Sequence, residues 1–260
     1  MTTKDQRTTI SPEITSKVPA KQNIFFKALR YFTCPFYIPI KRLLMLRKWA
    51  HHADTRTLDW DWGKTKFNRI AVVNLLLTHF KNPSYLEIGC ASDSLFNSVP
   101  VLQKKGVDPA SGGNVRKTSD DFFATNSERF DVVFIDGLHT YEQVRRDVIN
   151  SIKSINDGGW IALHDMLPRN WIEHHVPIVS QGDWTGDVWK VAFELIQTDG
   201  IEFKILKIDH GVGVIRVLNR DAELKDYREQ LIFKEFDYYY DNLNKLPIVE
   251  WDDAQDWLRN

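Results

Sequence analysis

Two short groups of polar residues combine side chains that bind metal ions or move protons. The first is Asp136-Gly-Leu-His139, and the second is the pair His164-Asp165. Carboxylates and imidazoles together bind divalent cations such as Mg²⁺ or Mn²⁺. A histidine, whose pKa is ordinarily near neutrality, can instead take the proton of a hydroxyl. Structural hydrogen bonding is the alternative role for each histidine taken singly.

A turn of small residues, Gly89-Cys90-Ala91-Ser92, follows the apolar run 84–88. Such a turn lets the backbone approach a ligand closely, and the helix after it offers free N–H groups. Asp108 follows about twenty residues later, where an acid accepts ribose hydroxyls in nucleotide-binding sheets. Together these features favour an adenosine-type ligand. Residues 89–94 lack the second and third glycines of G-x-G-x-x-G, which disfavours binding of a dinucleotide pyrophosphate.

Alternating strand and helix patterns must position these residues. Short apolar runs predict strands, and apolar residues at helical spacing predict helices. The predicted strands are 84–88, one ending at 105–108, 115–118, 131–135, 160–163, 203–208 and 212–217. The predicted helices are 67–80, 141–156 and 187–198. The insert 168–186 before the last of these helices could be a substrate lid or a structural loop.

This order predicts an α/β fold: a Rossmann-like, doubly wound, mostly parallel sheet closed by an antiparallel strand pair. Ligands of such sheets bind at the carboxyl ends of the strands. The polar residues singled out above all fall at those ends. Because several groups converge there, a functional site is a better interpretation of the two histidines than separate structural hydrogen bonds.

Six sequence blocks, in this order, resemble a known family: YLEIGCAS, GVDPASGG, TSDDFF, FDVVFIDGLHTYEQVRRDV, GGWIALHDMLP and GDVWK. They resemble the class I S-adenosylmethionine-dependent methyltransferases, in particular methyltransferase family 24, over about residues 84–217. The resemblance implies an enzyme of the methyltransferase class with S-adenosylmethionine as its cofactor.

The resemblance also implies roles for single residues at the cofactor. Glu87 and Gly89, with the turn after them, would line the methionine and ribose end, and Asp108 would hold the ribose hydroxyls. Ser119 and Asp120 would lie beside the adenine. Capping of a helix that begins before Phe122 is the alternative role for Asp120. The implied cofactor-binding residues are Glu87, Gly89, Cys90, Ala91, Ser92, Asp108, Ser119, Asp120 and Asp136.

Metal-dependent sugar O-methyltransferases are the nearest resemblance at the second cluster. They have D-x-x-H after one strand and an acidic pair after the next, with Mg²⁺ on the acids and the histidine as general base. Asp136, His139 and Asp165 match that arrangement, and His164 occupies a position where these enzymes have an acid. The expected catalytic residues are His139 and Asp136. The expected ligands of a divalent cation, Mg²⁺ or Mn²⁺, are Asp136, Asp165 and His164.

Composition and charge limit which partners and which cellular location are expected. A formal net charge of −1 argues against a nucleic-acid partner. The two cysteines cannot build a disulfide framework, so a cytoplasmic location is expected. The uncharged run 31–40 is too short for a transmembrane helix. Residues 1–60 contain eleven Lys/Arg against four Asp/Glu, whereas residues 219–260 contain six against eleven.

The chain is therefore divided into a disordered tail (1–23), a helical basic-aromatic extension (24–60), the methyltransferase domain (61–218) and an acidic C-terminal extension (219–260). Residues 24–50 could cover the sheet or contact an anionic membrane surface peripherally. The predicted activity is O-methylation of a hydroxyl on a saccharide or saccharide-bearing small molecule. The alternatives are a catalytically silent cofactor-binding partner in a biosynthetic assembly, and a nucleotide-dependent oxidoreductase or epimerase.

Overall fold

Seven strands form one mixed sheet, in which the four neighbouring strands at one side are parallel to one another. The structure is a computed structural model that describes residues 40–260. The strands are β1 (Ser84–Ile88), β2 (Gln103–Val107), β3 (Phe130–Ile135), β4 (Ile155–Leu163), β5 (Ile201–Leu206), β6 (Val212–Val217) and β7 (Ile248–Val249). Their spatial order is β2-β1-β3-β4-β6-β5-β7. Neighbours from β2 to β4 are parallel, and β6 runs antiparallel to both β4 and β5. The predicted fold class is confirmed.

Helices connect the strands and cover both faces of the sheet. They are α1 (residues 40–49), α2 (Arg69–Leu77), α3 (Ser94–Ser98), α4 (Ser119–Phe123), α5 (Tyr141–Lys153), α6 (Trp171–His174), α7 (Lys190–Leu195), α8 (Arg228–Leu231), α9 (Phe236–Asp241) and α10 (Trp251–Arg259). Short 3-10 turns occupy Ala50–His52 and Leu243–Lys245. Predictions for residues 1–39, including the disordered tail and residues 24–39 of the basic-aromatic extension, lie outside the described residues.

Strand β3 lies inside the sheet, between β1 and β4, and is buried on both faces. Val132 and Phe134 pack into one apolar cluster with α2 and α10, whereas Val133 and Ile135 pack into another with α5 and α7. Successive strand residues point to opposite faces, so an apolar run without polar alternation is what a two-sided layer requires. The sheet therefore holds the ends of β1 to β4 in fixed mutual positions.

The predicted strand at 115–118 is wrong. Val115 makes only an isolated parallel bridge with Val107, and its N–H donates to the carbonyl of Gly106. The chain reaches this point through Gly112 and Gly113, both with positive φ, and Thr118 already caps α4. Between that turn and that cap there is no room for a strand.

The predicted helix 141–156 extends too far at its C-terminal end. Helix α5 ends at Lys153, and Ile155 begins β4, where it pairs with Phe130. Gly158 and Gly159, which follow the predicted helix, both lie within β4. Helix α7 is likewise shorter than predicted, whereas the antiparallel pair β5–β6 is confirmed around a turn with positive φ from Asp209 to Gly211.

Residues 219–260 pack against the sheet. Their strand β7 pairs in parallel with β5, and the side chains of Tyr239 and Leu258 are fully buried. None of the helices within residues 40–260 combines the length and the apolar character that crossing a bilayer demands.

Candidate active site

A cavity of about 660 Å³ opens at the carboxyl ends of β1 to β4. The predicted site residues that line it are Glu87, Gly89, Cys90, Ala91, Ser92, Asp108, Ser119, Asp136, His139, His164 and Asp165. Asp120 is the predicted residue that the structure does not bring to this wall. Arg69, Leu138 and Gln143 also line the cavity, although the sequence pattern did not single them out.

The turn after β1 brings backbone close to the neighbouring strand end. Gly89 has φ of 85°, and a Cβ at this position would lie 2.1 Å from the carbonyl oxygen of Asp136. Only glycine fits both the conformation and the space. The N–H groups of Cys90 and Ala91 then point at Asp108, each 3.1 Å from its Oδ2.

Asp108 organises two loops at the rim of the cavity. Its Oδ1 accepts hydrogen bonds from the N–H groups of Ala110 (2.7 Å) and Ser111 (2.8 Å), in addition to the two bonds at Oδ2. Burial alone would raise the pKa of this carboxyl, but the four backbone N–H donors hold the pKa below its ordinary value. Asp108 is therefore ionised and holds the cavity rim in place.

Glu87 lies at the floor of the cavity and is only 2% exposed. Burial raises its pKa to about 7, although the hydroxyl of Tyr85, 2.6 Å from Oε2, donates a hydrogen bond that lowers it. A buried carboxyl that ionises near neutral pH offers a negative charge to a cationic ligand group.

Helices α4 and α5 meet at the side of the cavity where Ser119 lies. The amide Nε2 of Gln143 is 3.0 Å from Ser119 Oγ, 3.2 Å from Asp120 Oδ1 and 3.1 Å from Asp147 Oδ1. Asp120 also faces Arg146 at 3.3 Å. Capping of α4 was the alternative role for Asp120. Thr118 is the residue that caps this helix, because its side chain accepts a hydrogen bond from the N–H of Asp121.

Asp136, His139 and Asp165 come together as predicted. His139 Nε2 is 3.3 Å from Asp136 Oδ1, and His139 Nδ1 is 3.0 Å from Asp165 Oδ2. Burial would lower the pKa of His139, but hydrogen bonds and charges from the two carboxylates outweigh it and raise the pKa to about 10. Burial would raise the pKa of both aspartates, but the charge of His164 and the hydrogen bonds from His139 and His164 lower it. Imidazole and carboxylates thus stabilise each other's charged forms.

The two nitrogens of His139 have different surroundings. Nδ1 faces two acceptors, Asp165 Oδ2 and the backbone carbonyl of Trp184, both at 3.0 Å. A nitrogen between two acceptors carries its proton. In the neutral ring the lone pair therefore belongs to Nε2, which is the nitrogen that can accept a proton.

His164 belongs to a second network behind Asp136. Its Nδ1 is 3.3 Å from Asp136 Oδ1, whereas its Nε2 is 3.2 Å from Arg69 Nη1 and 3.5 Å from Asp209 Oδ2. Arg69 pairs with Asp209 at 2.9 Å. No local motif marks Arg69 or Asp209, because each reaches the site from a distant element of the chain.

The set of side chains that fits a divalent cation differs from the predicted one. Within residues 40–260, one group of three has ligand atoms that all lie within 4.8 Å of one another, namely Asp136, His139 and Asp165. Two carboxylate oxygens and an imidazole nitrogen form a suitable donor set for Mg²⁺ or Mn²⁺. His139 takes the place that was predicted for His164, although His164 Nδ1 also lies 3.3 Å from one oxygen of each aspartate.

A protein-family model described as "Methyltransferase domain" (family 24) matches residues 93–166. The match includes Asp108, Ser119, Asp136, His139 and Asp165. It confirms the predicted resemblance over this segment of the chain. A search of curated proteins finds no match.

Several solved structures are similar to this chain. A Corynebacterium glutamicum protein is 14% identical, with 78% of this chain and 99% of that chain covered and a TM-score of 0.43. An O-methyltransferase from Bacillus cereus in complex with SAH is 13% identical, with 73% and 97% covered and a TM-score of 0.42. The MycE methyltransferase of mycinamycin biosynthesis, in complex with Mg, SAH and mycinamycin VI, is 18% identical, with 54% and 46% covered and a TM-score of 0.36.

Proposed function

We propose that this protein is an S-adenosylmethionine-dependent O-methyltransferase that methylates a hydroxyl of a saccharide or saccharide-bearing metabolite. The observation that carries the proposal is the position of His139, whose ring lies between Asp136 and Asp165 beside the cavity. The saccharide class follows from the resemblance of D-x-x-H and the second acidic position to sugar O-methyltransferases.

The cavity suits S-adenosylmethionine in size and chemistry. Its volume of about 660 Å³ lies within the range of small-molecule sites. The turn at Gly89 brings backbone to the ligand, and Glu87 offers a buried carboxylate. The cofactor supplies a sulfonium methyl group and contains no pyrophosphate, which agrees with the absence of the second and third glycines in residues 89–94.

His139 acts as the general base in this proposal. The acceptor oxygen forms its new bond to the methyl carbon as the bond from that carbon to sulfur breaks. The hydroxyl proton passes to His139 Nε2, because Nδ1 is committed to Asp165 and the Trp184 carbonyl. Asp136 and Asp165 stabilise the resulting imidazolium, and the sheet aligns base and cavity in advance.

A divalent cation would be held by the carboxylates of Asp136 and Asp165. In this form of the mechanism Nε2 of His139 would stay free of the cation, because one lone pair cannot both bind a metal and accept the hydroxyl proton. Such a cation polarises an acceptor hydroxyl and lowers its pKa. Chelation distinguishes this form of the mechanism from base catalysis alone.

Asp108→Ala is expected to weaken the binding of S-adenosylmethionine by on the order of 2 kcal/mol, about 30-fold. The variant loses a charged acceptor for the ribose hydroxyls, and four backbone N–H groups of the cavity rim lose their partner. Isothermal titration calorimetry measures the effect. The exposed residue Asp157 provides the control, since Asp157→Ala leaves the cavity intact. If Asp108→Ala bound S-adenosylmethionine with wild-type affinity, Asp108 would not be part of the cofactor site.

The affinity for S-adenosylmethionine is expected to rise as pH increases through about 7. Below that pH the buried Glu87 is protonated, and above it the carboxylate attracts the positively charged cofactor. Calorimetry between pH 6 and 8.5 tests this. In Glu87→Gln the affinity should depend less on pH. Any pH dependence that remains in this variant comes from other groups, including those of the ligand itself. Identical pH profiles in the two proteins would contradict the assignment.

The rival of a catalytically silent cofactor-binding partner predicts cofactor binding without transfer to any acceptor. The preserved contacts among Asp136, His139 and Asp165 favour the enzyme. Screening nucleotide sugars, glycosides and free monosaccharides with methyl-radiolabelled S-adenosylmethionine distinguishes the two.

A further inference from the structure

The turn Trp184–Asp187, at the end of the long insert, contacts His139 from several directions. The carbonyl of Trp184 lies 3.0 Å from His139 Nδ1. The indole of the same residue is stacked on the imidazole, with ring centroids 5.2 Å apart and an interplanar angle of 18°. Trp184 therefore constrains both the plane of the ring and one of its nitrogens.

Gly186 packs against the backbone of His139. Its φ is 61°, and a Cβ at this position would lie 1.7 Å from the carbonyl oxygen of His139. Any side chain here would displace one of the two segments. The turn and the backbone that bears the histidine are thus in direct contact.

Asp187 fixes the helix that begins immediately after His139. Its Oδ1 accepts a hydrogen bond of 2.6 Å from the N–H of Tyr141, the first residue of α5. Thr140, at the N-cap position, provides no side-chain cap of its own. A remote carboxylate therefore satisfies a helix donor that local sequence leaves open.

The turn is itself anchored to buried groups away from the cavity. The N–H groups of Thr185 and Gly186 donate to the carbonyl of Glu173, at 3.0 and 3.1 Å. The buried Lys190 holds Asp187 Oδ2 at 2.9 Å and the carbonyl of Ile232 at 3.0 Å. Trp184 Nε1 donates to the carbonyl of His175 at 2.9 Å. These bonds suit a fixed support better than a lid that opens for each turnover.

We propose that the turn Trp184–Asp187 is a positioning element for His139, with Trp184 setting the orientation of the imidazole. The turn holds Nδ1 against the Trp184 carbonyl and Asp165, so that Nε2 faces Asp136 and the cavity. The inference rests on the proposed role of His139 as the base, but the positioning itself can be measured without an acceptor.

NMR of protein labelled in its histidines tests the positioning. In the wild type, the stacked indole should shift the ring protons of His139 upfield, and the hydrogen-bonded Nδ1–H should exchange slowly. Trp184→Ala should lose the upfield shift, and its Nδ1–H should exchange faster because no stacked ring holds the imidazole against its two acceptors. Trp184→Phe should retain both signatures because an aromatic ring remains. Trp171→Ala is the matched control: Trp171 lies in the same insert and packs edge-on against His175. Identical His139 signals in wild type and Trp184→Ala would overturn the proposal.

Kinetics test the consequence for catalysis. Trp184→Ala should lower kcat by about 100-fold, the scale expected for a misplaced catalytic group, while the Kd for S-adenosylmethionine stays within about twofold. Trp184→Phe should recover most of the rate, and Trp171→Ala should keep it. An equal loss of cofactor affinity in Trp184→Ala would mean a general structural role and contradict the proposal. If the NMR signatures respond but His139→Ala remains fully active, the base assignment fails and the positioning stands.

Discussion

His139→Ala is expected to lower turnover by about two to four orders of magnitude, the usual contribution of a positioned general base. The variant leaves Asp136 and Asp165 in place but removes the proposed base. Transfer of a radiolabelled methyl group to the saccharide acceptor that serves the wild type best measures the effect. Cofactor affinity, measured by calorimetry, should change little because His139 faces the acceptor side of the cavity.

The pH dependence of the wild type follows from the pKa of His139. The two carboxylates raise this pKa to about 10, and only the neutral ring accepts a proton. Turnover should therefore increase as pH rises toward about 10 and fall as pH drops. A cation bound to Asp136 and Asp165 would weaken their hold on the imidazolium and move this rise to lower pH.

Chemical rescue provides the control for His139→Ala. Added imidazole can enter the space left by the side chain and should restore part of the lost activity. A fully active His139→Ala enzyme would contradict the assignment of the base. An inactive variant that also fails to bind the cofactor would indicate that the substitution disrupts the fold.

Asp136→Asn and Asp165→Asn are each expected to lower turnover by about three orders of magnitude. Each substitution keeps the size of the side chain and removes a charge that holds His139 and that would bind a divalent cation. If a cation takes part, a chelator should abolish wild-type activity, and Mg²⁺ or Mn²⁺ should restore it. Asp157→Asn, at an exposed position, is the matched control.

The two sets of variants separate three mechanisms. Chelator-sensitive activity with a dead His139→Ala enzyme supports the mechanism of the metal-dependent sugar methyltransferases. Chelator-resistant activity with the same dead variant supports base catalysis without a metal. Wild-type rates in both aspartate variants would contradict any role of this cluster in turnover.

The convergence of Asp136, His139 and Asp165 could be predicted because it depends on strand ends. Parallel strands bring their carboxyl ends to one edge, and apolar runs mark where the strands are. Side-chain direction beyond the strand end was harder to predict. Asp165 has φ of 63°, which belongs to the left-handed region, and its two carboxylate oxygens contact Nδ1 of His139 and Nδ1 of His164. The strand pattern does not encode this backbone conformation, so it could not show that His139, and not His164, completes the group of three potential metal ligands.

Residues that enter the site from distant elements gave no local signal. Arg69 begins α2, and its partner Asp209 lies 140 positions away. Asp187 caps α5 from 46 positions away. Such pairs depend on how helices and loops pack, and neither hydrophobic period nor motif spacing encodes them in a single sequence.

Every assignment of a residue to the cofactor depends on the binding of S-adenosylmethionine in the cavity. Isothermal titration calorimetry of the whole chain with S-adenosylmethionine, and separately with NAD and UDP-glucose, tests it most directly. We expect saturable binding of one S-adenosylmethionine per chain, and weaker binding in Asp108→Ala. We expect no binding of NAD, because residues 89–94 lack the glycines for its pyrophosphate. Saturable binding of NAD, without binding of S-adenosylmethionine, would contradict the account and favour the oxidoreductase or epimerase alternative.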